Sequence, residues 1–191
     1  HIYKKGDKQE ARHQLGLPQD KRLILFVSQR VTNRNKGMDY LLEACRQLNN
    51  MSDLGVVILG GHAEEVVDQL SFASFPMGYV NDEQRIVSIY QAVDVFVLPS
   101  LSENLPNTIM EAMACGVPCV GFKVGGIPEE IDHLQTGYVA EYRSAEDLAR
   151  GIRWILTEAD YEALSRQAIH KVAQSYSQQS VAVRYLDIYQ Q

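Results

Sequence analysis

The sequence predicts an α/β fold built on a parallel sheet of about six strands, with helices covering both faces. Three observations indicate it. Short, continuous apolar runs recur along the chain, which is typical of strands buried on both faces. Between them lie longer segments in which apolar residues repeat at helical spacing. The two kinds of segment alternate through the 191 residues, as βαβ units require.

Six apolar runs predict the strands, and each is too short to suit a helix. In chain order they are residues 23–27, 56–59, 77–80, 95–98, 117–122 and 137–139. Sheets of this Rossmann-like kind bind ligands beyond the carboxyl ends of their strands, where the strand order reverses. We therefore expect the loops after the first, fourth and fifth strands to hold the site.

Helical spacing and capping residues place helices between these runs. Residues 1–22 are charged and polar and end in a Gly-Leu-Pro turn, which predicts a lead-in helix followed by a turn. Asp82 and Pro106 stand where two helices begin, because Asp caps a helix and Pro is tolerated in a first turn. The other helices of this part are predicted over residues 36–48 and 62–70.

The last part of the chain is predicted to be helical, with no further strand. Ser144 begins a capping-box pattern, and Asp160 and Ser177 suit the caps of two later helices. The final helix, over residues 177–191, packs either on its own domain or on a domain outside this chain. We predict a single domain over residues 1–191, with residues 1–22 as an inter-domain lead-in.

Composition excludes several functional classes. The chain is 46% hydrophobic and 22% charged, which is typical of a soluble globular domain. Its net charge of −6 gives no indication of the positively charged surface that binds nucleic acid. No apolar run approaches the roughly 18 residues of a membrane-spanning helix. Cys45, Cys115 and Cys119 are too few for a disulfide framework, so we expect buried thiols in a reducing cytoplasm.

Several motifs of other nucleotide-binding proteins are missing from the sequence. No Gly-x-Gly-x-x-Gly follows a strand, and there is no Gly-Lys-Ser/Thr of a P-loop. No Asp-x-Asp pair occurs, so we expect neither a bound metal nor a cofactor. The chain begins His1-Ile2 without an initiator Met, from which we expect it to be part of a longer protein.

Residues 99–118 carry the strongest chemical signal, because they join the fourth strand to the start of a helix. The first amides of a helix lack partners within it and point outward, where they form a ready site for a phosphate. Pro106 has no N–H to contribute. The expected donors are therefore the amides of Leu105, Asn107 and Thr108.

Two acids stand in the same segment, Glu103 in the loop and Glu111 one to two turns into the helix. A carboxylate accepts two hydroxyl hydrogen bonds at once, so Glu111 suits a ribose. Glu103 lies nearer the entrance of the expected binding site and suits the hydroxyls of a sugar. For either acid alone, a favourable interaction with the helix dipole is the alternative interpretation.

Taken together, this segment resembles the Glu-x7-Glu motif of retaining GT-B glycosyltransferases, in the large family 4 also called glycosyl transferases group 1. Glu103 matches the first acid and Glu111 the second, and the run Ala-Met-Ala-Cys-Gly-Val-Pro that follows matches as well. The resemblance extends over about residues 23–156. It implies that the sheet is the C-terminal, donor-binding half of a GT-B fold.

A second match lies after the first strand. The family carries an Arg and a Lys there that hold the donor diphosphate, ahead of a Gly that opens a helix; here they are Arg30, Lys36 and Gly37. Two cations and a helix start also suit a diphosphate on physical grounds, although a solvated charged loop is the alternative. Arg34 is an additional cation, and Gln29 stands where the family commonly has Gly.

Two weaker matches complete the resemblance. Residues 78–82 correspond to the family's segment at the edge of the base, which makes main-chain contacts at the position of Val80. Such contacts leave the side chain free, so the sequence does not reveal which base is bound. Residues 125–129 correspond to a loop near the cleft, and the glycines in that loop also suit a turn with positive φ.

The resemblance implies an enzyme that transfers a hexosyl group from a nucleoside diphosphate sugar to a glycan or lipid-linked acceptor, with retained configuration. Arg30 and Lys36 would stabilise the leaving phosphate, Glu103 would orient the sugar, and Glu111 would hold the ribose. The acceptor site belongs to an N-terminal domain outside this chain, so we predict that the chain transfers nothing alone. A non-catalytic nucleotide-binding module and a nucleotide-sugar epimerase are the alternatives.

The same resemblance favours a role in polysaccharide biosynthesis at a cytoplasmic location. Contact with the inner face of a membrane is expected only through the full-length enzyme, because family members make it with the other half. Metal-free chemistry is likewise implied by the family, in which positive side chains and helix dipoles neutralise the leaving diphosphate.

Overall fold

Six parallel strands form one sheet in the computed structural model, which describes residues 2–175. The strands are β1 (Arg22–Arg30), β2 (Leu54–Gly61), β3 (Ala73–Gly78), β4 (Val95–Leu98), β5 (Cys119–Phe122) and β6 (Gly137–Ala140). Their spatial order is β3-β2-β1-β4-β5-β6. The predicted α/β fold with a parallel, Rossmann-like sheet is therefore confirmed.

This strand order places a switch point between β1 and β4. From β1 the chain moves outward through β2 to β3, and it then returns to the other side of β1 to build β4, β5 and β6. The loops after β1 and β4 consequently leave the sheet in neighbouring positions at its carboxyl edge. That edge is where the sequence predicts the site.

Seven α-helices surround the sheet in the described part of the chain. They are α1 (Lys8–Leu15), α2 (Met38–Gln47), α3 (Glu83–Ala92), α4 (Asn107–Ala114), α5 (Ile127–Glu130), α6 (Ala145–Arg153) and α7 (Tyr161–Ser175). A π-helical turn, Trp154–Glu158, extends α6. Within these residues, no helix is both long enough and apolar enough to cross a membrane.

The core consists of two layers, one on each face of the sheet. Alternate residues of β1 point to opposite faces, so Ile24 and Phe26 pack with α2 and α6. Leu23 and Leu25 pack with α3 and α4 on the other face. All four side chains are fully buried, and burial of each contributes about 1.5–3 kcal/mol. The continuous apolar run of this strand is explained by its two covered faces.

Two elements differ from the prediction. Residues 62–70 form two short 3₁₀ turns, Ala63–Glu65 and Val67–Gln69, and not a helix. His62 has a positive φ of 65°, and β-branched Val66 adopts φ −121° between the turns, so the backbone leaves the helical region twice. The third strand is Ala73–Gly78, paired along β2, and it ends before residue 80 because Gly78 turns with φ 70°.

The predicted helix caps are confirmed where the structure describes them. The Asp82 carboxylate accepts from the amide of Gln84 at 3.1 Å, and Asp160 accepts from that of Ala163 at 3.1 Å. The Ser144 hydroxyl accepts from the amide of Asp147 at 3.0 Å. The predicted helix that begins at Ser177 lies outside the described residues.

Replacing Ser144 with alanine is expected to lower the free energy of unfolding by about 1 kcal/mol, because one amide at the start of α6 loses its acceptor. Thermal or urea unfolding of the chain measures this change. Ser71→Ala is the matched control, since Ser71 is exposed and caps no helix. Equal unfolding free energies for the two variants would contradict the capping role.

The lead-in segment is docked on the sheet through Arg12 of α1. This guanidinium is buried and donates to a carboxylate oxygen of Asp94 at 2.8 Å and to the carbonyl of Ala92 at 2.8 Å. The same oxygen of Asp94 accepts from the amide of Leu23 at 2.7 Å. The arrangement ties α1 to the amino ends of β1 and β4, opposite the carboxyl edge of the sheet.

Candidate functional site

The loops after β1 and β4 are packed against each other at the switch point. Gly37 adopts φ 75°, and a Cβ added there would collide with the carbonyl oxygen of Pro99. The amide of Leu101 donates to the carbonyl of Asn35 at 2.9 Å, which joins the two loops directly. Glycine is required at position 37 for both reasons. The two motifs with the strongest chemical signal in the sequence are thus brought together.

Lys36 and Glu103 meet across this junction. The Lys36 ammonium lies 2.7 Å from Oε1 of Glu103, and the hydroxyl of Ser100 donates to the same oxygen at 2.8 Å. The Glu103 side chain is only 13% exposed and that of Lys36 31%. Among the described residues, Oε2 of Glu103 receives no hydrogen bond. The pair is therefore positioned with one carboxylate oxygen still able to accept.

Arg30 is the second cation of the site and ends β1 at the carboxyl edge. Its Nε donates to the hydroxyl of Thr32 at 2.9 Å, and the side chain is exposed. No carboxylate of residues 2–175 forms an ion pair with it. Its charge is therefore not neutralised within this part of the protein, and it is available to an anion.

The start of α4 faces the same place. Pro106 is the cap residue, and no side chain caps the helix. The amides of Leu105, Asn107 and Thr108 donate to no other residue of the described chain. Free amides and the positive end of the helix dipole together make a site for an anion. The structure thus leaves the three predicted amide donors unpaired beside Glu103.

Glu111 lies farther along α4 and is half-buried. Its Oε2 accepts from the hydroxyl of Tyr90 at 2.9 Å. Burial raises the pKa of the Glu111 carboxyl above its ordinary value, while the hydrogen bond from Tyr90 acts in the opposite direction. The charge of Glu111 also contributes, after burial, to a pKa of about 12 for the nearby Tyr3. One oxygen of this carboxyl is therefore already occupied.

The loop after β5 lies beneath the Glu103 loop. Gly125 has φ 56°, as predicted for a turn, and a Cβ there would collide with the carbonyl oxygen of Glu103. The amide of Gly126 donates to the carbonyl of Asn104 at 2.6 Å. Both glycines permit this close approach, so the loop supports the backbone that carries Glu103.

Val80 lies on the chain just after β3, two strands away from β1. It is partly buried against the core, whereas the neighbouring Tyr79 is 73% exposed. The segment stands at the same carboxyl edge as the acids and cations. The predicted main-chain contact of Val80 with a base stays a prediction.

Sequence reasoning missed three groups that the structure places in or near this site. The hydroxyls of Ser100 and Tyr90 hold the two acids, and Glu130 on α5 is fully buried with no hydrogen bond to either oxygen in the described chain. Burial, followed by the charges of Glu103 and Glu129, raises the pKa of Glu130 to about 8. Glu130 follows apolar Ile127 by three residues, which puts both side chains on one face of a helix. This spacing is the sequence signal that Glu130 is buried.

The sequence analysis also did not identify a small group of potential metal ligands. His62, Glu64 and Glu65 offer ligand atoms within 4.8 Å of one another, and all three residues are exposed. They lie just after β2. Exposed acidic groups of this kind are common without an ion, and we assign them no role.

Comparison with known proteins agrees with this geometry. The family described as "Glycosyl transferases group 1" matches residues 7–172. A relative named D-inositol 3-phosphate glycosyltransferase, from Corynebacterium aurimucosum, is 30% identical over 194 residues. The match covers 95% of this chain and 46% of that relative. The chain thus spans about half the length of the curated relatives it matches.

Solved structures show the same fold. HepE of Anabaena, solved in complex with UDP and glucose, superposes with a TM-score of 0.83 at 20% identity, over 99% of this chain and 54% of that one. The C-terminal domain of a glycosyl transferase group 1 protein from Francisella tularensis superposes with a TM-score of 0.79 at 22% identity. That match covers 93% of this chain and 97% of that one, so a domain of this extent has been crystallised alone.

Proposed function

Because the chain belongs to the glycosyl transferases group 1 family, we propose that it is the donor-binding domain of a retaining glycosyltransferase. The enzyme would transfer a hexosyl group from a nucleoside diphosphate sugar to a glycan or lipid-linked acceptor. One observation supports this most directly. The Lys36 ammonium and the Glu103 carboxylate lie 2.7 Å apart at the start of α4, where an anion and a sugar can be held side by side.

The diphosphate would bind between Arg30, Lys36 and the free amides at the start of α4. As the bond from the sugar to the β-phosphate breaks, negative charge builds up on the leaving oxygen. Two cations and aligned amides that are already in place stabilise this charge without reorganising. We propose that they perform this task without a bound metal.

The two acids would bind different parts of the donor, Glu103 the transferred sugar and Glu111 the ribose. Glu103 is bound through Oε1, so Oε2 can accept from hydroxyls of the transferred sugar. Its contact with Lys36 keeps that sugar beside the phosphates. Glu111 lies on α4, after the loop that carries Glu103, and would accept from the ribose hydroxyls.

The acceptor would be held by a second, N-terminal domain of the parent enzyme. The chain spans about half the length of its relatives, which is consistent with one of two domains. We propose that the parent enzyme acts in polysaccharide biosynthesis in the cytoplasm, and that the present chain binds donor but transfers nothing alone. Turnover of a nucleotide sugar by the isolated chain would refute the assignment of the acceptor site to a second domain.

Calorimetric titration of the chain with UDP, GDP and ADP tests the donor site. UDP is the first choice, because HepE, which has the same fold, was solved with UDP. Saturable binding of one diphosphate is expected, with an affinity that falls as salt rises because the contacts are ionic. Failure of all three to bind, both here and in the parent enzyme, would overturn the proposal.

Replacing Glu111 with alanine is expected to weaken binding of the nucleoside diphosphate by about 1–3 kcal/mol, because a charged acceptor for the ribose is lost. Inorganic pyrophosphate has no ribose, so its affinity should stay the same. Glu43→Ala on α2 serves as the control, since among residues 2–175 Glu43 pairs only with Arg46 on the same helix. An unchanged nucleoside diphosphate affinity in the Glu111 variant would exclude the ribose contact.

A further inference from the structure

We propose that Tyr90 is a positioning residue for the donor ribose, acting through the carboxylate of Glu111. This inference rests on the proposed function and names a residue that the sequence motifs do not include. The Tyr90 hydroxyl donates to Oε2 of Glu111 at 2.9 Å. Within the described chain Oε1 receives no hydrogen bond, so it remains available to accept from the ribose.

The position of the hydroxyl is determined by packing. Tyr90 lies on α3 before β4, Glu111 lies on α4 after β4, and both helices cover the same face of the sheet. The Tyr90 ring is fully buried and makes edge-to-face contacts with Phe96 at 6.1 Å and Tyr3 at 6.0 Å between ring centroids. A ring held on both sides presents its hydroxyl in one direction, which fixes one carboxylate oxygen of Glu111.

The same hydrogen bond also affects the protonation state of the Glu111 carboxyl. Burial raises the pKa of Glu111, and the charge of Glu83 at the start of α3 raises it further. The bond from Tyr90 lowers it. The other titratable groups around the pair are Tyr3 of the lead-in segment, Cys115 after α4 and Cys119 of β5. Tyr90 is therefore the neighbour that favours the ionised form.

An ionised carboxylate is needed for this contact, because only that form accepts two hydroxyl hydrogen bonds without competing as a donor. Tyr90 consequently affects the ribose in two ways, by orienting Glu111 and by keeping it charged at lower pH. A purely structural role for Tyr90 would affect stability and would not move the pH dependence of binding.

The test replaces Tyr90 with phenylalanine in the 191-residue chain and titrates UDP from pH 5 to pH 8.5. GDP or ADP is used instead if the wild-type chain prefers it. Loss of a hydrogen bond to a charged group is expected to weaken UDP binding about tenfold at pH 7.5. The acidic fall in UDP affinity should also begin at a higher pH than in the wild type, since the carboxyl protonates more readily. Affinity for pyrophosphate should not change.

Tyr138→Phe is the matched control. The Tyr138 hydroxyl donates to Asp147 at 2.7 Å, the same pairing of groups, but it packs with the helices on the other face of the sheet. This variant is expected to keep the wild-type UDP affinity and pH profile. The UDP molecule titrates its own phosphate in this range, and that contribution is common to every variant.

Three outcomes would overturn the inference. Tyr90→Phe with unchanged UDP affinity and pH profile would remove the positioning role while leaving the donor site intact. An equal loss of UDP and pyrophosphate binding would show that Tyr90 only supports the fold of the site. A wild-type chain that binds pyrophosphate no more weakly than any nucleoside diphosphate would refute the ribose contact itself, and with it the proposed role of Glu111.

Discussion

Replacing Arg30 and Lys36 together with alanine is expected to reduce nucleoside diphosphate affinity at least a hundredfold. Both cations stand at the carboxyl edge of the sheet, and Arg30 has no ion pair in the described chain. Loss of one charge-assisted hydrogen bond costs about 1.5–3 kcal/mol, so the loss of two exceeds the 2.7 kcal/mol of a hundredfold change. The amides at the start of α4 alone cannot replace these contacts.

The two single variants should differ from each other. Arg30→Ala removes a free charge, and its effect on unfolding should be small because the side chain is exposed. Lys36→Ala also leaves the largely buried Glu103 carboxylate with the Ser100 hydroxyl as its one partner in the described part of the chain, so it should lower stability as well as affinity. Calorimetry and thermal unfolding on the same samples separate these contributions.

A control for net charge is available on the same chain. Arg46 and Arg166 are exposed on α2 and α7, so their double alanine variant removes the same two charges away from the site. It should bind UDP as the wild type does, apart from a small long-range effect. Comparable losses in the two double variants would mean that overall charge, and not this site, holds the diphosphate.

Replacing Glu130 with leucine is expected to stabilise the protein by the largest amount at alkaline pH, and by progressively less as the pH falls toward 4.5. The carboxyl is fully buried, and neither oxygen has a hydrogen-bond partner in the described chain. Its pKa is raised to about 8 in the folded protein, from an ordinary value of 4.5. The folded state therefore binds more protons than the unfolded state between these pH values.

The sign of the effect follows from this difference. Stability of the wild type falls as pH rises from the unfolded pKa toward the folded one, and the whole penalty is present above about pH 8. Each tenfold shift of the ionisation equilibrium is worth about 1.4 kcal/mol, and relaxation around the charge reduces the total. We expect Glu130→Leu to gain about 2–4 kcal/mol over the wild type at pH 9.

Urea unfolding of both proteins at intervals from pH 5.5 to 9.5 measures this gain. Glu64→Leu provides the comparison, because Glu64 is a largely exposed acid. Its unfolding free energy should run parallel to that of the wild type across the range. If the unfolding free energy of the Glu130 variant also stays parallel to that of the wild type, the carboxyl has partners that keep it charged. The expected cost of burying its charge is then wrong.

Local patterns predicted most of the fold. Five of the six strands were predicted because each contains a continuous apolar run, whereas the third, Ala73–Gly78, was predicted at residues 77–80. Three caps were predicted because Ser and Asp precede helical periodicity. Residues 62–70 were predicted wrongly as a helix, since their composition is helical but His62 and Val66 adopt non-helical backbone angles. The predicted roles of Glu103, Glu111, Arg30 and Lys36 remain predictions, although the structure joins Lys36 to Glu103 and places Arg30 at the end of β1.

The sequence by itself determined the α/β class, because periodicity is a local property of the chain, and its motifs predicted the edge of the sheet and the residues of the candidate site. Only the tertiary structure decided the partners of those residues. Ser100 on Glu103, Tyr90 on Glu111 and the unpaired carboxyl of Glu130 depend on which distant segments pack together. Burial and hydrogen bonding set the charge of an acid, and both arise from long-range packing that a linear pattern does not contain.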